Sequence, residues 1–192
     1  MNNDNFMFEK LTLNDPVFNV PNYPLPSLGR LRAGTAIGEL QRRRAGKGEG
    51  PVDPAVRSVR LLIIHCSATL PGQRVTVQDI DRWHRQQGFS CIGYHFYITV
   101  DGTIWTGRPL SQIGAHCKGY NTHSIGICYE GGLDEEGRPQ DTRTLMQKAA
   151  LVALINKLRE SYPTADVVGH CDLNPHKACP CFSAVEEYNS DE

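Results

Sequence analysis

An α/β domain built on a mixed central β-sheet flanked by helices is the fold class this sequence predicts, on three observations. Leu61–Ile64 is an unbroken apolar run of strand length, and Ser124–Tyr129 reads as a second strand; a run of the first kind is the signature of a strand buried on both faces. Two longer segments, Val77–Gln87 and Thr144–Ser161, carry helical periodicity, the first with a capping residue at its start and the second with Pro163 beyond its end. Strands and helices alternate along the chain, which is the order of α/β and α+β architectures.

The elements follow in order. Residues 1–57 hold Pro16, Pro21, Pro24, Pro26, Pro51 and Pro54, a glycine-rich stretch and the basic run Arg42, Arg43, Arg44 and Lys47. Only Gly34–Arg44 has the makings of a short helix, so the segment is expected to be an extended arm or linker without its own core, its charges solvated. The domain proper is expected over residues 58–188, with 189–192 as an acidic tail. Leu61–Ile64 opens it. Thr76 caps the first helix with Asp79 three residues on; Val77, Ile80 and Trp83 share a face, and Gly88 stops it. Tyr94–Val100 alternates, Asp101-Gly102 signals a hairpin turn, and Thr103–Thr106 returns. After Ser124–Tyr129, the second helix is expected to bury Leu145, Ala149, Val152, Ile155 and Leu158 on one stripe. Ala165–Val168 closes the set as a short strand.

Bulk properties narrow the function. Apolar residues make up 40% of the 192, enough for a core, and the net charge of −1 supplies no global field for nucleic acid or an anionic membrane. No apolar run is long enough to span a bilayer. The first residues lack the basic and apolar regions of a signal peptide, so the expectation is synthesis in the cytoplasm. Seven cysteines, an odd and irregular set, argue against a disulfide framework and for metal binding or burial.

Two histidines occupy matching places. His65 directly follows Leu61–Ile64, and His170 follows Asp166–Val168 by one glycine. Ligands gather outside the carboxyl ends of parallel strands, so if these strands are neighbours both imidazoles face one pocket. The loop Pro175-His176-Lys177-Ala178-Cys179-Pro180-Cys181 then supplies a thiolate. Two imidazoles and a thiolate, with a fourth position open, make the arrangement of a catalytic zinc.

Four stretches carry a family resemblance: His65-Cys66-Ser67-Ala68-Thr69; Gly93-Tyr94-His95-Phe96; Gly114-Ala115-His116-Cys117-Lys118-Gly119-Tyr120-Asn121 running into Ser124-Ile125-Gly126-Ile127; and Lys177-Ala178-Cys179-Pro180. Over residues 61–182 the chain resembles the type 2 N-acetylmuramoyl-L-alanine amidases, the family of phage lysozyme-type amidases and animal peptidoglycan recognition proteins. Lys177 makes the phage type the nearer likeness. The resemblance implies the fold of that family, cleavage of the amide between N-acetylmuramic acid and the L-alanine of the peptidoglycan stem peptide, and one Zn2+ per chain on His65, His170 and Cys179. It assigns Tyr94 and Lys177 to catalysis. Zinc polarises a carbonyl and acidifies water, Lys177 would stabilise the oxyanion, and Tyr94, with an ordinary pKa of about 10, is a poor base unless its surroundings lower that value. Action on the wall then requires lysis or dedicated export. Relatives of the phage type also bind and inhibit a polymerase, and a protein partner for residues 1–57 stays open.

The loop from His170 to Cys179 is one residue longer than the phage-type spacing, which leaves His176 and Cys181 as rival ligands. Cys66 and Cys171 sit beside the two histidines and, as neighbours on extended chain, should face away from the metal. His116 and Asn121 are candidate substrate-binding residues, each with a structural alternative: packing for His116, fixing its own turn for Asn121. His95 reads as packing, Glu130 as a solvated rim carboxylate, Trp83 as core, and Trp105 as half-buried or lining a glycan groove. Two other classes compete with the metallo-amidase. A peptidoglycan receptor without catalysis would have lost the thiolate that Cys179 retains, and a thiol hydrolase would use Cys179 or Cys181 as nucleophile.

Overall fold

The computed structural model describes residues 8–11 and 58–189. The expected helix at 34–44, the basic run beside it and the last three residues of the tail lie outside the described residues. Six strands form one mixed sheet: β1 (Lys10–Leu11), β2 (Leu61–Cys66), β3 (Phe96–Ile98), β4 (Ile104–Thr106), β5 (Ser124–Tyr129) and β6 (Asp166–Gly169), in the order β1-β4-β3-β5-β2-β6. β3, β5, β2 and β6 run parallel, whereas β4 and β1 are antiparallel additions at one edge. β2 and β5 are interior strands buried along their whole length, as unbroken apolar runs require.

The arm enters this sheet. Lys10 and Leu11 pair with Trp105 and Ile104, and Phe8 packs against the buried cluster of Val75, Val77, Ile80, Ile92 and Tyr97. A short stretch of the first 57 residues therefore covers the β4 edge, which would otherwise present unpaired backbone groups.

Helix α1 (Val77–Gln86) and helix α2 (Leu145–Ser161) sit on opposite faces. Each opens on a reciprocal cap: Thr76 Oγ1 accepts from Asp79 N and Asp79 Oδ2 from Thr76 N, and Thr144 pairs with Gln147 in the same way. In α2 the expected stripe is corrected. Leu145 is 84% exposed and Ala149 is exposed, while Gln147, Ala150, Leu151, Leu154, Ile155 and Leu158 face the sheet. The helix carries apolar residues on nearly every side, so periodicity alone did not select the buried one. Tertiary hydrogen bonds do: Gln147 Nε2 donates to the Ile98 and Glu130 carbonyls.

Strand alternation divides side chains between the two faces. Leu62, Ile64, Ile125, Ile127 and Val167 lie under α2, whereas Leu61, Ile63 and Val168 pack with Cys117 on the other face. His65 falls on that second face. Glu130 is corrected as well: it is buried and accepts from Val75 N and Val100 N, so it ties two loops to the end of β5 and is not a rim group.

Two short helices, α3 (His170–Leu173) and α4 (Ala184–Tyr188), complete the described chain. Arg143 clamps α4. Its guanidinium is buried, bonds Asp141, Glu187 and the Tyr188 hydroxyl, and stacks on Phe182. Asn189, at the expected start of the tail, docks on β6 through both backbone groups of Val167. Arg143→Ala should cost about 3 kcal/mol, the low end for a broken buried ion pair because Asp141 and Glu187 keep some solvent. Urea denaturation measures it, and a loss below about 0.5 kcal/mol, the scale of an ordinary surface change, would remove the clamp.

Candidate metal centre and active site

β2 and β6 are direct neighbours in parallel, with Ile64 opposite Gly169. The next residues, His65 and His170, therefore emerge side by side, their ring centroids 4.7 Å apart. Gly169 caps α3, and its N–H donates to Asp172 Oδ2, so His170 opens a helical turn where extended chain was expected. The loop after α3 returns to the same place. Cys171 N donates to the Cys179 carbonyl at 2.7 Å, and Cys66 N donates to Cys179 Sγ at 3.2 Å. One ligand atom each from His65, His170 and Cys179 lie within 4.8 Å of one another. Among the described residues this is the group of metal-ligating side chains close enough to hold an ion.

The donor set fits zinc. His65 is 1% exposed, and burial, reinforced by His116 and His170, holds its pKa well below the ordinary histidine value. A neutral imidazole is the form a metal needs. Its Nδ1 lies 3.8 Å from Cys179 Sγ, while its Nε2 is engaged 3.0 Å from His116 Nδ1.

The rival donors go elsewhere. Cys181 Sγ lies 3.8 Å from Cys66 Sγ and donates to the Gly132 carbonyl. Contact with the Cys179 sulfur, ahead of burial, pushes the Cys66 thiol up to about 12, and contact with Cys66 raises Cys181 strongly. Cys181 is thus engaged by Cys66 and Gly132 on the far side of β2 from the two imidazoles. His176 is exposed in a turn, its N–H bonded to Asn174 Oδ1.

Tyr94 sits just before β3, its ring 5.1 Å from that of His65 and 5.2 Å from that of His84. Burial, with the neighbouring thiols, pushes its pKa well above the ordinary phenol value, so the hydroxyl keeps its proton. Lys177 is exposed on the loop two residues before Cys179, its N–H closing a turn onto the Asn174 carbonyl. Asn121 Oδ1 accepts from His116 N and Cys117 N, which fixes its own turn. His116 is bonded to His65 and Ser124. His95 is buried between Gly126 N and the Gln112 carbonyl, as packing required, and Trp83 and Trp105 pack half-buried on the α1 side.

The contact between His116 and His65 was not anticipated. Its signal in the sequence was Gly126 inside an apolar strand, a mark of close approach by another group. A Cβ on Gly126 would lie 2.5 Å from the His116 ring.

Known proteins share this arrangement of sequence and fold. Residues 55–182 match the family described as N-acetylmuramoyl-L-alanine amidase. The endolysin of Enterobacteria phage K11 is 44% identical over 119 residues, 62% of this chain and 78% of that protein. The endolysin of Escherichia phage T7 is 40% identical over 135 residues, 70% and 89% of the two chains. Among solved structures, the N-acetylmuramoyl-L-alanine amidase LysC from Clostridium intestinale superposes with a TM-score of 0.57 at 34% identity, covering 68% of this chain and 81% of its own.

Substitution separates the candidate ligands. Cys179→Ser should abolish uptake of added zinc, while Cys181→Ser and His176→Ala should each keep about one ion per chain, measured by elemental analysis after dialysis. A zinc-free Cys181→Ser protein would refute the assignment.

Proposed function

The chain belongs to the N-acetylmuramoyl-L-alanine amidase family, and on that premise we propose that it is a peptidoglycan hydrolase cutting the amide between N-acetylmuramic acid and the L-alanine of the stem peptide. The observation that carries the reading is the cluster of His65, His170 and Cys179 beside the half-buried Tyr94. In this proposal the three residues hold one zinc ion, which supplies Lewis-acid polarisation of the scissile carbonyl and acidification of water.

The chain's own residues do the rest. In this reading the Tyr94 hydroxyl donates a hydrogen bond to the negative charge that develops on the carbonyl oxygen. Lys177 brings a positive charge to the rim, where the same oxyanion is accessible to it. Burial of His65 keeps the floor of the site dry, which strengthens both interactions. Residues 58–188 carry this chemistry, since each residue assigned to it lies there. Among the described residues no helix is long and apolar enough to cross a membrane; endolysin relatives fit action on the cell wall after release.

Two experiments test the reading. Mass spectrometry of purified sacculi digested with the protein should show stem peptides with a free L-alanine amino group, and this product should vanish with a chelator and return with added zinc. Full activity in metal-stripped protein would overturn the metal-dependent reading and favour a thiol nucleophile. Tyr94→Phe and Lys177→Ala should each lower kcat by about 10²–10³, the usual loss for one transition-state interaction, with zinc content unchanged. Wild-type turnover in either variant would remove that residue from the mechanism.

A further inference from the structure

His65 has two ring nitrogens, and its use as a ligand depends on which one is bare. Nδ1 faces Cys179 Sγ, and Nε2 lies 3.0 Å from His116 Nδ1. The far nitrogen of His116, Nε2, lies 3.3 Å from Ser124 Oγ. One proton assignment makes both contacts hydrogen bonds and leaves His65 Nδ1 bare: His65 donates from Nε2 to His116 Nδ1, and His116 donates from Nε2 to the serine oxygen. The reverse assignment also makes both contacts hydrogen bonds, but it puts a proton on His65 Nδ1, facing Cys179 Sγ at 3.8 Å, where it would bar that nitrogen from a metal.

A second, independent observation concerns the room made for the His116 ring. A Cβ on Gly126 would lie 2.5 Å from its Cγ, and a Cβ on Gly114 would lie 2.5 Å from its Cδ2. Both are closer than real Cβ contacts allow, so the ring occupies a slot that exists because two facing positions have no side chain. The slot is also walled by His95, edge-on at 5.7 Å between ring centroids. The orientation of His95 is itself fixed, since Gly126 N–H needs an acceptor at Nδ1 and the Gln112 carbonyl needs a donor at Nε2. Gly126 thus orients one histidine through its N–H and admits another through its missing side chain.

We propose that His116 is a positioning residue: seated in the slot made by Gly114 and Gly126 and anchored by Ser124, it fixes His65 as the Nε2–H tautomer and turns the bare Nδ1 toward His170 and Cys179. The proposal rests on the reading of these three residues as metal ligands. A metal-binding histidine commonly donates its other N–H to a carboxylate, a carbonyl or water, and loss of that partner costs about 10–100-fold in metal affinity. Here a second imidazole, itself held by a hydroxyl, takes that place. The family motif Gly-x-His followed by Ser-Ile-Gly-Ile then has one physical purpose across both halves: ring, slot and anchor.

The test uses the full chain in two arms. Zinc affinity measured by competition with a chromophoric chelator should fall about 10–100-fold in His116→Ala. It should recover to within a few-fold of wild type in His116→Asn, whose Oδ1 replaces the Nδ1 acceptor; circular dichroism melts check that both variants fold. In the zinc-free wild type, ¹⁵N shifts of the imidazoles should report His65 protonated at Nε2. Wild-type affinity in His116→Ala, or a His65 protonated at Nδ1, would overturn the proposal. Failure of the metal reading looks different: the wild type itself takes up no zinc, and the tautomer measurement alone then decides the role of His116.

Discussion

Parallel pairing of β2 with β6 is the constraint on which the site depends. Because Ile64 stands opposite Gly169, the residues that follow stand side by side at one level, and both are histidines. A slip of one residue would turn His65 to the α2 face and exchange it for Ile64 or Cys66, since side chains alternate along a strand. The register is held by burial: Leu62 and Ile64 lie under α2, and Leu61 and Ile63 pack with Val168 on the other face, so neither face can be traded without exposing apolar area. Core packing and ligand placement are the same physical fact.

That coupling explains why so much was legible. A run apolar on both faces ending in histidine identifies both a central strand and a pocket residue, and β2, β5, α1 and the Thr76 cap follow from local pattern. The features that were not legible are those decided by tertiary contact. The buried face of α2 is set by Gln147 reaching two carbonyls across the sheet, a preference invisible in a helix apolar all round. Glu130 looks like a rim carboxylate until the two loop N–H groups that bury it are in place. Docking of residues 8–11 on β4 spans a sequence separation that no local rule reaches. In the site, spacing left three donors competing for one position, and only the fold turns Cys181 toward Cys66 and His176 toward solvent.

The proton states around the centre are consistent with one another. Burial keeps His65 neutral and Tyr94 protonated, and contact among sulfurs keeps Cys66 and Cys181 as thiols. Removing water penalises charge on every one of these groups.

The extra residue between His170 and Cys179 can be placed by asking where the loop is free to lengthen. Its start is fixed by α3, whose last turn closes with Asn174 N donating to the His170 carbonyl. Its end is fixed three ways: Cys171 N holds the Cys179 carbonyl, the Tyr129 hydroxyl donates to the Pro180 carbonyl at 2.7 Å, and Pro180 packs where a Cβ on Gly169 would lie 2.6 Å away. Between these anchors runs the exposed turn 174–178, closed by Lys177 N on the Asn174 carbonyl and by His176 N on the Asn174 side chain. Added length is accommodated in that turn at small cost, because loop closure entropy grows slowly with length, whereas a shift at Cys179 would break contacts to two strands. The sulfur therefore keeps its place while the exposed turn carrying Lys177 absorbs the insertion.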